Sequence, residues 1–454
     1  MVIDRLSTFW SNCLQDWREG FRWSHVNRTD FPIEPLVTFR VVFGALMLLS
    51  TLRFLYLGWV EDHFIHTQFQ FKYYGFEWVT LASPFWMYAL HGVLLLASIG
   101  ILLGAFYRLA AVVFFLGFTY TQLIDLTYYL NHYYFVSLLS FLLIFLPANQ
   151  AYAWDTRKSP RYFIPFWTVG ILRWQVAILY VYAGFAKMNS AWLIDYLPLK
   201  IWLPAGGDWM LVGPLFAHPW APALFSWGGM LYDTFIPLFL LNRYTRWPAY
   251  VAVWVFHLAV GILFQIGVFP LVMIAITPIF FSSDWHQRIW NRWKKPTMES
   301  CPTNSGNVPL WIWIYLGFQL IFPWRYLAYP GNLFWTEEGY RFSWRVMLME
   351  KAGTATFFVK DRQTGQEGIV DNGEFLRPHQ EKQMAMQPDM ILQFAHFLAQ
   401  HYAKLGLKDP IVRAEVYVTL NGKPSQLLID PTIDLSKIKD SWQPKSWILP
   451  APTP

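Results

Sequence analysis

The string YVYAGFAKMNSAW carries Lys187 at the end of an apolar run, with Arg173, Tyr180 and Gly184 ahead of it at intervals of 7, 4 and 3. In a helix those intervals put all four residues on one face. A lysine at a helix end can simply snorkel to water along its apolar stem. The sequence after Lys187 gives a second reading. The segment WLIDYLPLKIWLPAGGDW is aromatic and apolar, and a pocket built from it would disfavour the ammonium form and leave a neutral amine available as a general base. Tyr180 and Trp192 are candidate walls of that pocket.

Other polar residues also interrupt apolar sequence. Asn131 and His132 stand in DLTYYLNHYYF, where a histidine among tyrosines is either a hydrogen-bonding belt residue or a catalytic group. His257 has Gly261 and Gln265 at successive i+4 positions on its face; it is either a packing histidine satisfied by a neighbouring helix or a substrate contact. Asp233 and Arg173 come out at similar depth in two apolar runs, which predicts an intramembrane ion pair. Gly228 and Gly229 predict a close helix approach in the same run as Asp233. Neither histidine has a second ligand at i+3 or i+4, so no metal centre is expected. Walker, GxGxxG, HExxH and GxSxG motifs are absent.

The elements that must position these residues follow from the charge content. The chain has 454 residues, of which 35 are Lys or Arg and 29 Asp or Glu, so 14% are charged while 55% are hydrophobic and 20% aromatic. A soluble domain carries about 25% charged residues. The balance excludes a disordered chain, a disulfide scaffold and an ordinary water-soluble enzyme, and makes the lipid bilayer the first expected partner. Net charge is +6, but no polar basic segment interleaved with aromatics accompanies it, so no nucleic acid is expected. Nine apolar runs, near 34–57, 85–104, 107–128, 132–147, 167–187, 220–241, 248–264, 267–281 and 308–327, approach the roughly 20 residues that cross a bilayer.

The positive-inside rule orients these runs. With the N-terminus in the cytoplasm, the inner segments hold Arg5, Arg18, Arg22, Arg28, Arg108, Arg157, Lys158, Arg161, Arg243, Arg246, Arg288, Arg292, Lys294 and Lys295, while the outer loops hold Lys72 and Lys200. An odd number of spans then places the C-terminal segment outside the cytoplasm. Residues 1–33 lack the uninterrupted apolar core of a cleavable leader. Trp10, Leu14, Trp17 and Phe21 recur there at helical spacing, which reads as an amphipathic helix in the inner interface or as a solvated tail. Cys13 and Cys301 both fall on the inner side, so the outer domain is expected to have no disulfide.

After about residue 328 the period changes. Segments 344–351, 354–361, 366–371 and 411–420 have strand length and composition, Asn421-Gly422 is a hairpin signal, and Ile391, Phe394, Ala395, Leu398, Tyr402 and Leu405 form an amphipathic helix after Pro388. The fold class expected is an α-helical polytopic membrane protein of about nine transmembrane helices with a C-terminal extracytoplasmic α+β domain containing an antiparallel sheet. Its parts are 1–33 interfacial, 34–327 transmembrane and 328–454 extracytoplasmic.

The strings FRVVFGALM, LNHYYFVSLLSF, VYAGFAKMNSAWL, GGMLYDTFIPLFLL, FHLAVGILFQIGVFPLVMIAITPIFFSSDW, WTEEGYRFSWRVMLMEK and VTLNGKPSQLLIDP resemble, in order, the vitamin K-dependent gamma-carboxylase family, in particular its shorter bacterial members with an HTTM membrane region. The resemblance runs from about 34 to 447 and implies a bacterial inner-membrane enzyme. That enzyme would couple oxygenation of a reduced naphthoquinone (reduced vitamin K) by O2 to removal of a glutamyl γ-proton, and the carbanion would capture CO2. Lys187 takes the place of the family's catalytic lysine, and Asn131 and His132 match its NH motif. His257, Tyr180, Trp192 and Gln265 are then candidate quinone contacts, and a glutamyl peptide or protein is the implied partner. Asn189 and Ala191 stand where animal members have acidic residues, and the two inner-side cysteines leave the animal enzymes' outer disulfide unmatched. Those departures favour quinol epoxidation over protein carboxylation. They leave open a quinol oxygenase without carboxylation and a transporter or assembly factor on the same fold.

Overall fold

A chain in lipid can satisfy its backbone only internally, so each long apolar run folds as a helix. The structure, a computed structural model, describes residues 12–13, 30–206, 213–264, 266–290, 292 and 307–451. The helices that matter for the site are α1 (Glu34–Tyr56), α2 (Pro84–Leu103), α3 (Tyr107–Ile124), α4 (Asn131–Phe145), α5 (Trp167–Ala186), α6 (Ala221–Leu241), α7 (Arg246–Phe264), α8 (Phe269–Ile276) and α9 (Leu310–Ile321). Prolines in the first turn open α1, α2, α6 and α8, where a missing N–H costs nothing.

Six of these helices (α1, α2, α3, α5, α6 and α7) are long and apolar enough to cross a membrane. The other three expected spans are shorter: α4 has 15 residues, α8 has 8 and α9 has 12. At 1.5 Å per residue even the longest of these reaches only about 23 Å, short of a roughly 30 Å hydrocarbon core. Prolines contribute to this, since Pro278 opens a 3-10 turn after α8 and Pro323 another after α9. The interfacial helix expected over 1–33 lies outside the described residues, apart from Asn12 and Cys13. Cys301 lies outside them too. Leu49, Leu96, Leu109, Val255 and Ile314 are exposed on the helix bundle, as a surface facing lipid requires.

One apolar core joins α1 to α9, with Phe43, Phe114, Leu142, Leu172 and Val253 at its centre. The α5–α6 contact is close because Gly184 has no side chain. A Cβ there would lie 2.3 Å from the Thr234 hydroxyl and 2.7 Å from the Thr234 backbone nitrogen. Gly228 and Gly229, expected to provide close approach, have nothing within 4 Å of where a Cβ would be.

The C-terminal region contains a four-stranded antiparallel sheet of order β4-β3-β5-β6, made of β3 (Lys351–Lys360), β4 (Glu367–Ile369), β5 (Ile411–Leu420) and β6 (Gln426–Leu427). The pair β1 (Phe31–Pro32) and β2 (Phe163–Ile164) is a separate two-residue bridge near the starts of α1 and α5. Strand β3 pairs with β5 from Lys351 opposite Leu420 to Lys360 opposite Ile411. Helices α10 (Pro378–Met384) and α11 (Pro388–Lys404) complete the domain, whose core holds Phe357, Ile391, Phe394, Leu398 and Val416. That core also takes in Phe71, Tyr73 and Leu126 from loops between membrane helices. The segment expected as a first strand, 344–351, is irregular up to Glu350, because Trp344 and Met347 take left-handed backbone angles (φ 59° and 52°). Asn421 and Gly422 do turn the chain with positive φ, but within a loop longer than two residues, since pairing resumes only at Gln426 opposite Val418.

Replacing Gly184 by Val should force α5 and α6 apart at Thr234. The expected cost is about 1–3 kcal/mol of stability, read as a lowered thermal unfolding midpoint in detergent; an unchanged midpoint would contradict the packing described.

Candidate functional site

Lys187 is the C-cap of α5, and its side chain turns into the protein. Its Nζ donates to Asp233 Oδ2 at 2.7 Å and to the Ala183 carbonyl at 3.2 Å. The two side chains are only 8% and 7% exposed. The indole of Trp192 closes a third side, with Nζ 5.5 Å from the ring centroid. Trp192 is fixed from both directions: its backbone N–H donates to the Asn189 side chain at 3.0 Å, its Nε1 donates to the Ser226 carbonyl at 2.8 Å, and the Ser226 hydroxyl donates to its carbonyl. Asn189 is thereby the N-cap of the short helix after Lys187, a role that amide and carboxylate oxygens both perform.

Behind the lysine, α5, α6 and α7 meet at a second polar pair. The Tyr180 hydroxyl lies 2.8 Å from His257 Nε2, and both residues are almost fully buried. The other ring nitrogen of His257 has no partner among the described residues. Phe269, opening α8, touches the rings of His257 (5.8 Å) and His132 (5.5 Å). It links the Tyr180–His257 pair to a chamber.

The chamber has a volume of about 650 Å³ and lies between the helix bundle and the C-terminal domain. On the bundle side its walls include Tyr129, Asn131, His132, Tyr133, Trp202 and Phe269; on the domain side they include Tyr340, Arg341, Arg345, Met347, Met349 and Lys351. Arg53, in the last turn of α1, also lines it, with its guanidinium stacked 4.6 Å from the centre of the Trp59 ring. The domain-side wall is conformationally unusual. Phe342, Trp344 and Met347 all have positive φ without being glycine, a conformation that costs roughly 1–2 kcal/mol per residue. Contacts from the bundle hold it there: the Phe342 N–H donates to the Tyr129 hydroxyl at 2.6 Å, Tyr129 donates to Asn131 Oδ1 at 3.0 Å, and Asn131 Nδ2 donates to the Arg345 carbonyl at 2.7 Å. The Tyr134 ring stacks 5.0 Å from Trp344.

An HTTM domain matches residues 29–285, and the lumenal domain of vitamin K-dependent gamma-carboxylase matches residues 306–453. The chain belongs to the vitamin K-dependent gamma-carboxylase family. No solved structure matches it. It is a multi-pass membrane protein by its six spanning-length helices, and the chamber of this gamma-carboxylase family member lies where the two matched regions meet.

Of the residues expected at a site, Lys187, Trp192, Tyr180 and His257 gather where the C-terminal end of α5 packs against the middle of α6 and α7, while Asn131 and His132 line the chamber. Among the described residues no contact joins Lys187 to His132; the ring contacts run from His132 through Phe269 to the His257–Tyr180 pair. Gln265 lies outside the described residues. The expected Arg173–Asp233 pair does not form. Asp233 is taken by Lys187, and Arg173 instead donates to the carbonyls of Ile279 (2.8 Å) and Phe281 (3.2 Å), which the end of a 3-10 turn leaves without helical partners. Asn131 has both ends of its amide engaged in holding the 342–345 segment. No group of three or more His, Cys, Asp or Glu among the described residues is placed to hold a metal ion.

The domain-side cations are anchored. Lys351 pairs with Glu337 at 2.8 Å, and Arg341 is bonded to both Asp389 and Gln387. Burial alone would raise the Asp389 carboxyl, but Arg341 beside it, then Lys445 and the Met390 N–H, hold it below its ordinary value. A depressed carboxyl stabilises the fold above its unfolded value, and the contribution disappears as pH falls through the folded one. Arg341→Met should therefore lower the unfolding midpoint at pH 7. Its difference from wild type should narrow once the pH is taken below about 4; a difference constant with pH would contradict this role for the pair.

Proposed function

We propose that this protein is an integral-membrane, reduced-naphthoquinone-dependent gamma-glutamyl carboxylase with quinol epoxidase activity, in which Lys187 is the base and His132 acts at the chamber end. The observation that carries the reading is a buried, hydrogen-bonded amine in a gamma-carboxylase family chain whose neighbouring Tyr180–His257 pair reaches, through Phe269, a cavity that opens between the two matched regions. The cavity's size is within the roughly 300–1,000 Å³ of ligand sites. Its tyrosines, tryptophans and Phe269 suit a flat aromatic headgroup, and its domain-side wall suits a polar chain arriving from water. When bound, the reduced naphthoquinone supplies, through its oxidation by O2, a base stronger than any side chain, as a glutamyl γ-carbon demands.

The protein's own contribution is to hold and exclude. Lys187 accepts and holds a proton at Nζ, a task for which a fixed, desolvated group is suited. Tyr180 and His257 fix each other's orientation beside it. Tyr129 and Asn131 fix the chamber wall, and the aromatic lining keeps water from a carbanion, which would otherwise be reprotonated. The same reading puts the N-terminus in the cytoplasm and the 328–454 region outside it, with α4, α8 and α9 completing the passage through the bilayer.

Purified protein given vitamin K hydroquinone, O2, bicarbonate and a glutamyl peptide should form quinone epoxide and carboxylated peptide, and Lys187→Ala should lose about 10² or more of both rates. Folded wild-type protein yielding neither product would contradict the proposal. Epoxide without carboxylated peptide would reduce the activity to quinol oxygenation.

A further inference from the structure

The lysine's partner is a carboxylate on the neighbouring helix, and the surroundings favour that pairing from three directions. Asp233 is 5% exposed and has Lys187 Nζ at 2.7 Å. Gly184 lets the backbone of α6 approach α5 at Thr234, the residue next to Asp233. Pro237, inside α6 and four residues on, has no N–H to give the Asp233 carbonyl, so the helix is locally open where the carboxylate sits.

We propose that Asp233 is the positioning residue for Lys187: it fixes the amine and sets its proton occupancy. The inference rests on the reading of Lys187 as the base. A lone ammonium at this depth would carry a large desolvation cost, and a lone amine would have nothing to orient it. The pair holds one proton between nitrogen and oxygen and is neutral overall wherever that proton lies. With the proton on Asp233, the lone pair of Lys187 is free to take another from an acidic hydroxyl of the substrate. One O–H bond breaks, one N–H bond forms, and the proton held earlier stays on the carboxyl. The other titratable groups facing the pair are Tyr180 on α5, Tyr232 on α6 and His257 on α7. None of them carries a formal charge that could replace Asp233's at neutral pH.

The test is the pH profile of quinol epoxidation in wild type, Asp233→Asn, Asp233→Glu and Lys187→Ala, with thermal unfolding measured for each. A carboxylate favours the ammonium form, so its removal frees the amine at lower pH. Asp233→Asn should shift the acidic limb of the profile to lower pH and reduce the maximal rate about tenfold or more. Asp233→Glu, which keeps the charge, should return the limb towards wild type. If Lys187→Ala is inactive while Asp233→Asn keeps the wild-type limb, whatever its rate, Asp233 is only structural and the inference fails alone. If Lys187→Ala keeps the wild-type rate, the reading of the lysine as base fails, and the role of Asp233 with it.

Discussion

Burying an amine where α5 leaves the helix bundle requires a partner, because neither a solvated charge nor an unsatisfied one is tolerated at that depth. Asp233 is that partner, and much of the local architecture follows from bringing it within 2.7 Å. Gly184 thins α5 where α6 must approach, Pro237 interrupts the hydrogen bonds of α6 at Asp233, and Trp192 closes the remaining side under the hold of Asn189 and Ser226. Since a buried pair adds little stability over an apolar packing of the same volume, its value under the proposed function lies in fixing the Lys187 nitrogen.

The second constraint is how the C-terminal domain sits on the bundle. Its core is completed by Phe71, Tyr73 and Leu126, and Gln393 exchanges two hydrogen bonds with the Lys72 backbone, at 2.8 and 2.9 Å. Gln380 reaches both the Phe69 carbonyl and Asp125 at 2.7 Å. This docking lets Tyr129 and Asn131 hold the 342–347 segment in a conformation it would not adopt alone. Backbone strain of that kind persists only when surrounding structure over-determines it, and it collects at ligand walls. The chamber is thus a product of both parts of the chain.

The shared face of Tyr180, Gly184 and Lys187 was legible from spacing, because helical period fixes azimuth on one helix. The partner of Lys187 was not. Counting along each run gives Asp233 the depth of Arg173 and puts Lys187 at the outer helix end, which makes Arg173 the expected partner, but the count does not register how the two helices are offset; the carbonyls that hold Arg173 are freed by a 3-10 turn that no hydropathy scan registers. Helix α11 and strands β3 and β5 followed from amphipathic and β-branched patterns. The segment 344–350 carried the same composition but folds otherwise, because Asn131 holds its Arg345 carbonyl and Tyr129 the Phe342 N–H just before it, both from more than 200 residues earlier. Arg53 escaped the count of loop charges because it lies within an apolar run, although the residues on either side of it gave the signal of a cation at a span's end.

The central proposal is that this site drives proton removal from a glutamyl γ-carbon when a reduced naphthoquinone is oxygenated nearby. The most direct measurement is deuterium incorporation from D2O at the γ-carbon of a glutamyl peptide, with CO2 and bicarbonate excluded so that the carbanion can only be reprotonated. The account predicts γ-deuterium that requires the purified protein, the hydroquinone and O2 together. Epoxide formation with no γ-deuterium, or exchange that proceeds without the hydroquinone, would contradict it.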